Sequence, residues 1–254
     1  MSMLAAMIAG IFALGFLTFP WLGGGWFWDL GNGLGFLAYG GLLFQAIPGR
    51  RGRMLRRHET LGYAVLGLVL AHGFWLLTGD AAVRFYLLPG APIHMWLGLT
   101  GVILLSVLTV LARLPDRRNL HRDHGSFRRW HRGLGLAVVL AAAGHVLLSG
   151  FYLPHWWQVA GLLLLSLGAG LGRGAWARLG PPPAATVRGY LGLGLLAVAA
   201  FVTRGVWGHE AVAGLCLWAV AGLGAAGLAR HRPAHPARAA AGNDPGGAAH
   251  AFWP

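Results

Sequence analysis

The sequence predicts an all-α fold: a polytopic transmembrane helix bundle with about eight spans. Three observations carry that expectation. Apolar runs near 20 residues recur along the chain, with 56% hydrophobic residues and a mean hydropathy of +0.60. Only 11% of the 254 residues are charged, roughly half the share of a soluble domain. The basic residues fall almost entirely in alternate loops. All of them are Arg, and only Arg84 and Arg204 lie on the side opposite the rest. That asymmetry is the positive-inside pattern, and it accounts for the net charge of +13 without a nucleic-acid partner. The basic face suits anionic lipid heads.

Taken in order, the chain gives a first apolar span over 3–19. It has no basic leader or small-residue cleavage pattern, so it reads as a retained span. A Gly/Trp-rich external loop, Trp21 to Asn32, suits a membrane interface. A second span covers 33–48 and ends at the basic run Arg50–Arg57. The third span covers 58–78, and an external loop leads to Pro92. The fourth span runs from His94 to Leu111, and the most basic loop follows. The fifth span is 131–150, the sixth 157–172, the seventh 189–206 and the eighth 211–229. An Ala/Gly/Pro-rich tail from Arg230 reads as disordered. The resulting division is 1–32, a core of 33–172, two additional C-terminal spans in 173–229, and a cytoplasmic tail of 230–254. Both termini are then cytoplasmic.

Composition removes several chemistries. Cys216 is the only cysteine, which excludes an internal disulfide, a Cys-ligated iron–sulfur cluster and a covalent haem site of the CxxCH type. The acidic residues are Asp29, Glu59, Asp80, Asp116, Asp123, Glu210 and Asp244. They fall in loops, at span ends or in the tail, so a proton or cation relay on mid-span carboxylates lacks its parts. The glycines of 31–35 and 168–174 are near-misses to a dinucleotide fingerprint, with no strand before them.

The informative signal is a repeat. His58 and His72 are fourteen residues apart in the frame H-x-x-L-G-x-A-V-x6-H. His131 and His145 repeat that frame 73 positions later. Fourteen residues is close to four helical turns, so the two His of each copy share a face, roughly 21 Å apart along the axis. On that face the first copy places Gly62, Val65 and Val69 between its histidines. The second places Gly135, Val138 and Ala142 there. Both copies start at an Arg cluster and therefore run parallel. His58 is expected to face His131, and His72 to face His145.

The plain alternative is that His58 and His131 are solvated residues at span ends. His72 and His145 could be satisfied by a hydrogen bond to a neighbouring helix. Repetition of both spacing and small residues favours ligands: room for a flat macrocycle between paired imidazoles is the geometry of two stacked, non-covalent haems. Arg57, Arg128, Arg129 and Arg132 lie where propionates of the haem at the cytoplasmic side could pair with them, although topology alone explains each one. His94, His155 and His209 sit on the external side, His121 and His124 in the basic loop, and His231, His235 and His250 in the tail. All of these read as surface residues, with His94 also a spare-ligand position.

The paired H-x13-H helices, with Arg128–Arg129–Trp130–His131 opening the second, resemble the ferric reductase-like transmembrane domain superfamily. The span Leu97–Thr109 is similar to its bacterial branch, the haem b subunit of the periplasmic methionine sulfoxide reductase system. The likeness covers 33–172. It implies a six-helix core holding haem b on His58, His72, His131 and His145. Two haems are expected, since four ligands are present, although some members hold one. It also implies electron transfer from a cytoplasmic flavin reductase or membrane quinol to a periplasmic redox protein or small acceptor. FAD or FMN would belong to a partner, because no dehydrogenase domain is expected in this chain. Other readings are a cytochrome b561-like quinol-linked subunit, a non-redox permease or metal transporter with His along its path, and an anchor subunit. Haem content separates the redox readings from the last two.

Overall fold

A computed structural model describes residues 2–16, 25–47, 53–113, 123–171 and 185–204. The described residues are helical and contain no strand. Helix α1 is Ser2–Phe16, α2 Trp26–Ala46, α3 Arg53–Gly79, α4 Ile93–Arg113, α5 His124–Ser149, α6 Trp156–Leu171 and α7 Val187–Thr203. A short 3-10 helix, Ala81–Leu87, links α3 to α4. The eighth span, the tail, Cys216, His121 and His209 lie outside the described residues.

Local chemistry sets several boundaries. Asp80 accepts from the Ala82 N–H at 2.8 Å and starts the 3-10 turn. Asp123 caps α5 through the Ser126 N–H at 2.7 Å, and Thr186 caps α7 through the Gly189 N–H at 3.2 Å. Gly150 ends α5 in the left-handed region, with φ 62°, where a side chain would be strained. The caps explain why α5 starts at His124, seven residues ahead of the expected 131. The apolar period begins near His131, but the cap upstream lets the basic first turns extend the helix.

The organising element is α2, which packs against α1, α3, α5, α6 and α7. It carries the core residues Phe36, Leu37, Tyr39 and Leu43. Its glycines let neighbours come close: at Gly41 an added Cβ would collide with Val65 and Tyr190. The Tyr190 hydroxyl donates to the Leu37 carbonyl at 2.7 Å, and Tyr39 bonds Ser166 at 2.5 Å. These buried polar tips are therefore satisfied.

Three helical segments are long and apolar enough to cross a membrane: Leu55–Gly79, Ile93–Arg113 and Gly125–Ser149. Most of their apolar surface faces outward, as at Phe74, Ile103, Val110, Leu140 and Leu148. Exposed apolar faces of that length fit a lipid solvent and not water. Helices α1, α6 and α7 contribute shorter apolar stretches.

Two differences from the expected layout matter. The expected loop Trp21–Asn32 is helical from Trp26, so Asp29 lies in the first turn of α2. Arg204, expected at the external end of the seventh span, is 4% exposed and forms a salt bridge with Asp29 at 3.0 Å. A buried arginine needs a charge partner, and Asp29 supplies it.

Candidate functional site: two facing histidine pairs

Helices α2 and α3 form an antiparallel pair. Trp75 near the end of α3 donates to the Phe27 carbonyl at 2.9 Å, while Gln45 near the end of α2 donates to the His58 carbonyl at 2.8 Å. Helices α4 and α5 form a second pair, the most extensive helix contact among the described residues. The two His-bearing helices, α3 and α5, do not pack closely on each other. Each leans on its own partner, which leaves the histidine rings to meet across the space between them.

The rings meet in two pairs. His58 and His131 have ring centres 6.0 Å apart with planes at 61°. His72 and His145 have ring centres 6.3 Å apart with planes at 73°. The structure thus brings together the partners that the parallel repeat paired. Of the positions between them, Val65 and Val138 are buried in the core, Gly62 lies near Gln45, and Gly135 borders open space.

In the second pair each ring makes the hydrogen bond to a neighbouring helix that the plain alternative allowed. Nδ1 of His72 lies 2.7 Å from the Gly31 carbonyl oxygen, and Nδ1 of His145 lies 2.7 Å from the His94 carbonyl oxygen. A carbonyl can only accept, so Nδ1 carries the proton in each ring. Nε2 is then the unprotonated nitrogen, with its lone pair on the far side of the ring from the anchor. This is the tautomer a metal-ligating histidine uses, and the carbonyl bond raises its basicity.

Each anchor depends on a glycine four residues later. A helical carbonyl already accepts from the N–H four residues on, and its second lone pair opens sideways past that residue. Gly35 follows Gly31 by four, and Gly98 follows His94 by four. An added Cβ at Gly35 would lie 3.0 Å from His72 Nδ1, and one at Gly98 would lie 2.8 Å from His145 Nδ1. The imidazoles occupy the space that a side chain would fill.

The His58–His131 pair is built differently. Phe127 stacks on His131 at 5.6 Å and 29°. His131 Nδ1 is buried and has no hydrogen-bond partner among the described residues. Arg57, Arg128, Arg129 and Arg132 are exposed around this end of the bundle. His94 is half-buried beside His145, with ring centres 6.3 Å apart. His155 is exposed and stacks on Trp157. Among the described residues no three His, Cys, Asp or Glu side chains gather as a metal site, so the histidines come as pairs.

The donor set fits haem iron. A metal held between two imidazole nitrogens at about 2.0–2.1 Å each sets the ring centres roughly 6.3 Å apart. Both pairs lie near that spacing, and paired imidazoles are a donor set that would hold haem iron. No family model, no curated protein and no solved structure matches this chain.

Proposed function

We propose that this protein is the membrane subunit of an oxidoreductase, carrying electrons across a bacterial inner membrane through b-type haem. His58 and His131 would hold one haem, and His72 and His145 the other. The observation that carries this reading is the anchoring of His72 and His145. Two facing rings at 6.3 Å, each with Nδ1 bonded to a main-chain carbonyl, have the fixed orientation that metal-ligating histidines take. A histidine that merely satisfied itself would need the hydrogen bond, but not a second imidazole facing it.

When bound, haem b supplies one-electron redox chemistry. The chain's own residues do the rest. The Gly31 and His94 carbonyls hold the tautomer, and Gly35 and Gly98 leave the rings their seats. The core around Val65 and Val138 separates the two pairs. The proposed layout has eight spans with both termini cytoplasmic, so that the His58–His131 pair lies nearer the cytoplasm. A cytoplasmic flavin reductase or a membrane quinol is the proposed donor, and a periplasmic redox protein or small molecule the proposed acceptor.

The test is the absorption spectrum of the detergent-purified chain, oxidised and dithionite-reduced, with a pyridine haemochrome count. Two haems b per chain are expected. His72→Ala and His145→Ala should each remove one haem while the protein stays inserted. A haem-free protein from cells supplied with haem would overturn the reading and favour a transporter or anchor.

A further inference from the structure

The buried cluster of Asp29, Arg204 and Tyr152 has no part in ligand binding as described so far. Asp29 accepts from Arg204 Nη1 at 3.0 Å, from Arg204 Nη2 at 3.3 Å and from the Tyr152 hydroxyl at 2.7 Å. Arg204 Nη1 also donates to the Phe201 carbonyl at 2.5 Å, and its guanidinium lies 3.9 Å from the Phe201 ring centre. Arg204 Nε is buried with no partner among the described residues. Such a cluster tolerates little movement, because any lost contact leaves a buried charge unpaired.

Its location gives it a task. Asp29 lies in the first turn of α2, two residues before Gly31, the anchor of His72. That turn is also gripped by Trp75, three residues beyond His72 on α3. Tyr152 lies on the turn just after α5, seven residues beyond His145. Arg204 closes α7. One carboxylate therefore ties together the start of α2, just ahead of the carbonyl that orients His72, the turn after the helix that carries His145, and the end of α7. None of the three touches either imidazole.

We infer that Asp29, Tyr152 and Arg204 are positioning residues for the His72–His145 pair, acting through the Gly31 carbonyl and the turn after α5. This rests on the haem reading above for its consequence, but not for its geometry. The His58–His131 pair, at the other end of the same helices, is the internal control. A cluster that only stabilised the fold would act on both pairs alike.

The experiment uses the full-length chain in lipid nanodiscs, loaded with haem b, as wild type, Asp29→Asn, Tyr152→Phe and Arg204→Lys. Low-spin EPR and redox titration resolve two components, assigned with His58→Ala and His72→Ala. In Asp29→Asn and Tyr152→Phe, the g-anisotropy and midpoint of the His72–His145 component should shift, with the other component and the haem count unchanged. Arg204→Lys, which keeps the charge, should shift it less. Equal shifts in both components, or none in either, would overturn the inference. Tyr152→Phe is nearly isosteric and keeps the test open if Asp29→Asn does not fold. In haem-free protein, ¹⁵N NMR of the histidines reads the same device directly. His72 should lose its single Nδ1–H tautomer in Asp29→Asn and Tyr152→Phe, while His58 keeps its wild-type signal. An unchanged His72 signal would overturn the inference even if haem binds. A wild-type chain that never takes up haem overturns the haem reading and leaves the NMR result to decide the positioning role.

Discussion

Nδ1 of His145 lies 2.7 Å from the main-chain oxygen of His94, while the His94 ring centre is 6.3 Å from its own. The partner of this imidazole is a carbonyl, so the identity of residue 94 should matter little. His94→Ala is expected to keep both haems and the wild-type spectrum. Loss of a haem in that variant would make the His94 ring a ligand in place of one of the four.

The glycines that seat the rings should be far less tolerant. Gly98→Val places branched carbon where His145 Nδ1 now lies, and Gly35→Val does the same to His72. Each is expected to remove the haem of the His72–His145 pair and leave the His58–His131 haem in place. A haemochrome count falling from two to one checks this. Gly67→Ala and Gly133→Ala, where an added Cβ meets nothing within 4 Å, are the matched controls.

The two pairs should differ in affinity. His131 Nδ1 lacks the carbonyl partner that His72 and His145 have. Losing such a partner lowers metal affinity by about 10–100-fold. Stepwise haem titration of the haem-free protein should therefore fill the His72–His145 pair first. His58→Ala and His72→Ala identify which component fills.

Asp29 and Arg204 are 6% and 4% exposed. Removing one partner of a buried pair costs about 3–5 kcal/mol, whereas replacing both with apolar residues of similar volume costs much less. Asp29→Leu should lower the thermal midpoint sharply, and Asp29→Leu with Arg204→Met should recover most of it. Additive losses would show that the two side chains act independently.

The outward face of α4 offers a test of the membrane. Ile103, mid-helix, is 54% exposed. An Arg at the centre of a span costs about 2.5–3.5 kcal/mol on insertion. Ile103→Arg is expected to deplete the protein from the membrane fraction, while Ile103→Leu should not.

Much of the histidine arrangement was legible in the sequence because one helix has one period. A fourteen-residue spacing puts two rings on a face whatever the surroundings, and a shared direction pairs them across two helices. What lay hidden depends on other helices. The α2 start, Trp26 to Asn32, has the composition of a loop, with Gly, Asn, Asp and Trp. Intrinsic propensity is outweighed there by packing: Gly31 sits against Trp75 and Leu76, and Asp29 is held by Arg204. Arg204 was visible only as an exception to the charge asymmetry. Gly62 and Gly135, on the histidine face, drew attention as the spacers. The glycines that touch the rings are Gly35 and Gly98, on the opposing helices. A pattern confined to one helix cannot report what its neighbour must leave out.

The two helix pairs repeat one construction. In α2–α3 the carbonyl of residue 31 and the glycine at 35 receive His72. In α4–α5 the carbonyl of residue 94 and the glycine at 98 receive His145. The receiving elements are 63 positions apart and the histidines 73, so the second pair differs by a longer connection and not by a different design. Yet each facing couple takes one ring from each half, and neither half holds a complete couple. The two halves thus stand to each other as two like subunits would, joined in a single polypeptide, with the facing couples along the seam between them. The two ends of that seam are not equivalent: the rings of one couple are anchored to carbonyls, and His131 Nδ1 at the other has no partner among the described residues.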